Sequence, residues 1–228
     1  NGGSGVDTVV FSGSATGVEI YLDLGATWDG TSNDLLISIE NATGSSHSDY
    51  IVGTAGANTL IGGTGDDFLL GMVGDDLLIG GAGVDRLDGG EGVDTADYGS
   101  EAAGVEVYLN NGIAWDGTSM DFLISIENVT GSGHNDYIVG TSAANLLIGN
   151  AGDDFLFGMA GDDILIGGVG VDRLDGGEGN DTIGYATSAA GVEVNLEQGV
   201  SWDGTSMDFL TSIENVTGSA HNDYVVGT

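Results

Sequence analysis

The sequence predicts an all-β solenoid, a chain wound coil upon coil so that its short strands stack into two parallel sheets. Three observations predict it. A nine-residue unit repeats in phase, one position of every unit is apolar, and glycine is abundant (44 of 228 residues) while proline is absent. Short tandem units cannot each bury a core alone. They bury one by stacking on their neighbours.

The elements follow in order. Trp28, Trp115 and Trp202 lie 87 residues apart, as do His47, His134 and His221. This outer period divides the chain into 1–43, the end of one block with its spacer; two full repeats, 44–130 and 131–217; and 218–228, the start of another block. Each full repeat is a nonapeptide block (44–97 or 131–184) followed by a spacer (98–130 or 185–217). We expect one continuous solenoid, cut from a longer protein.

Within a block the units read GGTGDDFLL from Gly62, GMVGDDLLI from Gly71, GGAGVDRLD from Gly80 and GGEGVDTAD from Gly89, preceded by weaker copies from Gly44 and Gly53. The first six positions are expected to form a tight turn, because glycine tolerates positive φ and lets carbonyls crowd inward. The last three are expected to form a strand whose middle residue faces the core. That residue is Val9, Ile51, Leu60, Leu69, Leu78, Leu87, Ala96, Ile138, Leu147, Leu156, Leu165, Leu174, Ile183 or Val225. The spacers alternate apolar and polar residues at Val18, Ile20 and Leu22 and hide a degenerate nonapeptide, DGTSNDLLI from Asp29, which recurs from Asp116 and Asp203. They are expected to be further solenoid with irregular turns.

The sixth position carries the chemistry: Asp7, Asp49, Asn58, Asp67, Asp76, Asp85, Asp94, Asp136, Asn145, Asp154, Asp163, Asp172, Asp181 and Asp223. Stacked turns bring these carboxylates together, and a formal net charge of −34 has only Arg86 and Arg173 to offset it. Such a chain repels nucleic acid and anionic membranes and attracts cations. Calcium is the cation that suits, since it takes six to eight oxygens from carboxylates and carbonyls. The expected donors are those side chains and the turns of Gly62, Gly65, Gly71, Gly74, Gly80, Gly83, Gly149, Gly152, Gly158, Gly161, Gly167 and Gly170. About four ions per block are expected. Asp34, Asp121, Asp208, Asp88 and Asp175 are candidates for additional sites. Asn58 and Asn145 offer one weaker oxygen each.

At these residues the chain resembles the RTX family of haemolysin-type calcium-binding repeats, whose signature is GGxGxDxUx. The spacer phrases SIENVTGSGHND (from Ser125) and SIENVTGSAHND (from Ser212) also resemble stretches of large RTX proteins. The resemblance implies a right-handed parallel β-roll, folding triggered by extracellular calcium, and type I secretion. Two functions fit: a structural repeat segment of a secreted adhesin, surface filament or surface layer, or an accessory module that helps a secreted enzyme or toxin to fold or to grip polysaccharide.

The remaining features suggest less. The histidines are read as turn residues tolerating a left-handed backbone. The tryptophans are read as plugs in the core, with a sugar-stacking array as the alternative. Outward apolar residues (Phe68, Leu77, Phe155 and Ile164) suggest a contact surface for lateral or end-to-end self-association. The arginines are expected to pair with Asp88, Asp175 or spacer carboxylates. There is no cysteine, no lysine and no catalytic constellation, so no enzyme activity is expected.

Overall fold

A computed structural model describes residues 1–227; Thr228, the last residue of the segment 218–228, lies outside the described residues. The chain forms two compact units, 1–97 with 112–126, and 98–111 with 127–228, so that the division falls inside the spacer 98–130.

In the first unit a five-stranded sheet runs Thr8–Val10, Asn41–Thr43, Thr59–Thr64, Leu77–Ala82, Thr95–Asp97, parallel where register is defined. Facing it is an eight-stranded sheet in the order Ile113–Trp115, Met120–Ile124, Arg86–Glu91, Phe68–Val73, Tyr50–Val52, Glu19–Tyr21, Ala26–Trp28, Asn33–Leu35. The second unit repeats the plan. Its five-stranded sheet runs Asn128–Thr130, Leu146–Ala151, Ile164–Val169, Thr182–Gly184, Asn215–Thr217. Its eight-stranded sheet runs Glu106–Tyr108, Tyr137–Val139, Phe155–Ala160, Arg173–Glu178, Met207–Thr211, Val200–Trp202, Glu193–Asn195, Tyr224–Val226.

The core lies between the two sheets of each unit. Ile51, Leu69 and Leu87 point inward from one sheet, Leu60, Leu78 and Ala96 from the other, and all are fully buried, as are Leu156 and Leu165 in the second unit. A fully buried leucine contributes about 1.5–3 kcal/mol. One such residue per nonapeptide therefore supplies the apolar stabilisation. On the terminal strands Val9 is half-buried and Val225 is 48% exposed.

Two expectations need correction. First, the turn is shorter than six residues. Strands such as Phe68–Val73 continue through the first three positions of the next unit, with Gly90 paired to Met72 and Glu91 to Val73, which leaves only positions four to six as the bend. Second, the spacers depart from regular solenoid by more than irregular turns. Glu193–Asn195, Val200–Trp202 and Met207–Thr211 form an antiparallel meander, and its third strand joins Arg173–Glu178 in parallel. Asp203 caps the hairpin by accepting the Thr205 and Ser206 N–H groups at 2.8 and 2.7 Å. The meander explains why one sheet carries more strands than the other.

The tryptophans sit on the outer side of these meanders, 39–45% exposed, and so do not plug the core. A two-residue strand period turns Thr27, Ala114 and Ser201 inward and the neighbouring indoles outward. Nor do the histidines adopt a left-handed backbone. His47 and His134 instead donate their N–H to the Oγ of Ser45 and Ser132, both at 3.1 Å, and positive φ occurs at Met72, Asn150 and Met159, where the motif has its second glycine.

Outside the core, Tyr50 stacks on Phe68 (4.9 Å) and Arg86 lies 5.2 Å over the same ring. Arg173 lies between Phe155 and Phe209, at 5.0 and 5.8 Å. Phe68 and Phe155 are thus half-buried and covered by guanidinium rather than bare, Leu77 is half-buried, and Ile164 is 44% exposed on the opposite sheet. Arg86 also pairs with Asp88 at 3.6 Å, whereas among the described residues Arg173 forms no ion pair with Asp175. Asp88 and Asp175 lie beside Leu70 and Phe157 on the outer strand face, away from the turns, so they do not join the carboxylates of the sixth position.

Candidate metal centre

Turns 18 residues apart stack, and the sixth-position side chains link them into ladders. In the first unit the Asp67 carboxylate accepts the Asp49 N–H at 2.7 Å, Asp85 accepts that of Asp67 at 2.8 Å, and Asp121 that of Asp85 at 3.0 Å. On the other side Asp76 accepts the Asn58 N–H at 2.7 Å and Asp94 that of Asp76 at 2.8 Å. The second unit repeats both, through Asp136, Asp154, Asp172 and Asp208, and through Asn145, Asp163 and Asp181. Each carboxylate spends one oxygen, Oδ1, on the neighbouring coil.

The other oxygen is left over. Oδ2 of Asp7, Asp67, Asp76, Asp85, Asp154, Asp163, Asp172 and Asp181 is buried without a hydrogen-bond partner. A buried anion without compensation costs several kcal/mol, so each of these oxygens needs a cation or a proton. The surroundings fit a cation. A methyl group added at Gly62 would overlap Asp67 Oδ2 and meet the Gly80 carbonyl of the next coil, and Gly71, Gly149 and Gly158 repeat that arrangement. The first glycine is therefore required for space beside the carboxylate. Hard oxygens from neighbouring coils converge there, which is the donor set calcium takes. No cluster of three or more His, Cys, Asp or Glu side chains forms among the described residues, so carbonyls must complete any site.

Some expected ligands differ. Asp49 and Asp136 have both oxygens engaged: Asp136 Oδ2 accepts the Ser132 N–H at 2.7 Å, and its Oδ1 accepts the Ser132 hydroxyl and the Val105 N–H. Asp223 is exposed, and its Oδ1 accepts both the Ser219 hydroxyl and the Val192 N–H. Asn58 and Asn145 donate Nδ2 to the carbonyls of Glu40 and Glu127 at 2.6 Å, replacing a cation with an amide. Asp208 Oδ2 takes the hydroxyls of Tyr185 and Ser201, each at 2.9 Å. Asp34 is exposed on an end strand.

Sequence reasoning missed two sets of residues. Asp66, Asp75, Asp153 and Asp162 at position five accept the N–H groups of Val84, Val93, Val171 and Asn180 at 2.8–3.0 Å, a second ladder outside the first. The repeated Asp-Asp doublet was its signal. Glu40 and Glu214 also join the ladders, accepting the N–H groups of Asp7 and Asp181 at 2.9 and 2.8 Å. Their signal was the apolar residue two positions on, Ala42 or Val216.

Burial, reinforced by neighbouring carboxylates, pushes Asp85 up to about 8, Asp67, Asp154 and Asp172 to about 7, and Asp76 and Asp163 to about 6. The unfolded carboxylate titrates near 3.9. Folding without metal therefore takes up protons. The stabilisation from protonation is complete below about pH 4 and is lost as pH rises through 6 to 8. In excess chelator, the β-sheet circular dichroism signal should be larger at pH 4.5 than at pH 8. A signal independent of pH, or larger at pH 8, would contradict the burial of these carboxyls.

A family model described as the RTX calcium-binding nonapeptide repeat matches four stretches in two overlapping pairs, residues 43–76 with 61–96 and 130–165 with 148–183. No curated protein matches the chain.

Proposed function

Since its two nonapeptide blocks belong to the RTX calcium-binding repeats, we propose that the chain is a structural segment of a secreted adhesin or surface filament that stiffens on meeting extracellular calcium after type I secretion. The observation that carries this reading is the row of buried, unpartnered Asp oxygens repeated in both units. Such a chain stays unfolded where calcium is scarce and folds at the 10⁻⁴–10⁻³ M range (roughly) in which extracellular calcium modules work. Tandem 87-residue copies lengthen a stalk without new chemistry.

A second reading, a polysaccharide-gripping accessory module, draws on the exposed Trp28, Trp115 and Trp202. A glycan array probed with the calcium-loaded chain separates the two. The structural reading expects no saturable glycan binding. Binding that Trp115→Ala and Trp202→Ala abolish would overturn it in favour of the module.

A further inference from the structure

We propose that the turns that end in Glu214 and Glu40, Ser212–Glu214 and Ser38–Glu40, each hold a calcium ion against the neighbouring coil, carrying the row of metal sites out of the nonapeptides and into the spacers. This rests on the calcium reading above and assigns sites that lie outside the glycine-rich motif.

The chain crosses from the strand Met207–Thr211 in one sheet to Asn215–Thr217 in the other in only three residues. In a regular coil six residues separate the corresponding strand triplets, the first three of them prolonging the strand, and it is this prolongation that is missing here. Ser212 achieves it with a left-handed backbone, φ 50°, and Ser38 with φ 52°. That conformation brings the Ser212 carbonyl against Gly176, where an added methyl would overlap both this carbonyl and Asp181 Oδ2. At Gly149 and Gly158 the equivalent space lies between the aspartate Oδ2 of the same turn and the carbonyl of Gly167 or Gly176. Ser212 thus supplies a carbonyl where a regular coil supplies that of a glycine.

Glu214 supplies the missing carboxylate. Its side chain is one methylene longer than aspartate, which spans the gap left by the short turn. Its Oε2 accepts the Asp181 N–H at 2.8 Å, just as Asp181 Oδ1 accepts the Asp163 N–H at 2.9 Å. Asp181 is fully buried, and its Oδ2 has no partner. The first unit repeats the arrangement. Glu40 takes the Asp7 N–H at 2.9 Å, Asp7 Oδ2 is unpartnered, and the Ser38 carbonyl abuts Gly2. Two carboxylates and a carbonyl at each turn form an all-oxygen set suited to calcium.

The neighbouring spacer carboxylate is closed by other means: the Tyr185 and Ser201 hydroxyls occupy Asp208 Oδ2. At Gly167 the three nearest atoms all belong to Asp172, with no carbonyl from the following strand among them. The meander strand arrives there from a hairpin and brings no turn of its own.

The test is calcium stoichiometry of the full chain by equilibrium dialysis at saturating calcium, with circular dichroism alongside. The Glu40→Gln/Glu214→Gln variant is expected to bind two ions fewer than the parent while keeping its β signal. Tyr185→Phe is expected to leave the count unchanged. Should the double Gln variant fail to fold, Glu40→Asp/Glu214→Asp, which keeps the charge but cannot reach, is expected to lose the same two ions. An unchanged count in the folded glutamate variant overturns the proposal. A parent chain that binds no calcium at all overturns the reading beneath it instead.

Discussion

With calcium chelated at pH 7.5, the far-ultraviolet β signal of this chain is expected to collapse to that of an unfolded polypeptide, and to return cooperatively when calcium is restored. The reason lies in the ladders. Adjacent carboxylates stand about one strand spacing, ~4.8 Å, apart. At an effective dielectric near 20 each fully ionised pair repels by about 3 kcal/mol, and a carboxyl that avoids this by holding a proton at pH 7.5 does so against an unfolded value near 3.9, which is also unfavourable. Asp67, Asp85, Asp154 and Asp172 are at most 3% exposed, so water cannot screen them. Domain stabilities are only about 5–15 kcal/mol in total, so a few uncompensated pairs outweigh the core. Calcium binding is thereby part of the folding free energy. Cooperativity follows because each turn borders two gaps, and an ion in one orders a wall of the next. A chain that retains its β signal in excess chelator at this pH would refute the mechanism. Magnesium at equal concentration should restore far less, since it dehydrates reluctantly and requires a small octahedral site.

The largest effect of a single substitution is expected at Gly170. Its φ is +145°, and a methyl there would overlap the Gly152 carbonyl of the coil below while pressing on Asp153 N at 3.2 Å. Both obstacles are backbone and cannot rotate away. Gly170→Ala should cost about 3 kcal/mol or more, combining backbone strain with overpacking. In saturating calcium this appears as a markedly lower urea midpoint. Gly133→Ala is the matched control. Nothing lies within 4 Å of a methyl there, and φ is not positive. Its midpoint should shift by no more than the equivalent of about 0.5 kcal/mol. Equal shifts in the two variants would show that the coils are not packed backbone to backbone.

Much of the metal site was legible because both its periods are local. Sixth-position aspartates fall in line once a coil is two nonapeptides long, and the apolar eighth position declares the core. Glu40 and Glu214 were harder to see. They occupy ladder positions only because three residues, rather than six, separate the strand triplets on either side, and that spacing follows from where the preceding strand ends. Trp28, Trp115 and Trp202 were misplaced for a related reason. An aromatic residue among glycines reads as core until the antiparallel pairing shows which side of the strand it is on.

The sequence by itself determined the all-β class, the two nested periods, the inward residues and the need for a cation, because each of these follows from spacing and charge along one coil. Tertiary structure alone decided which carboxylate oxygens stay unpartnered and which are closed by Ser132, Tyr185, Ser201 or an asparagine amide. The physical reason is that an oxygen's last hydrogen bond comes from a neighbouring coil or strand, and that neighbour is set by stacking rather than by proximity in the chain.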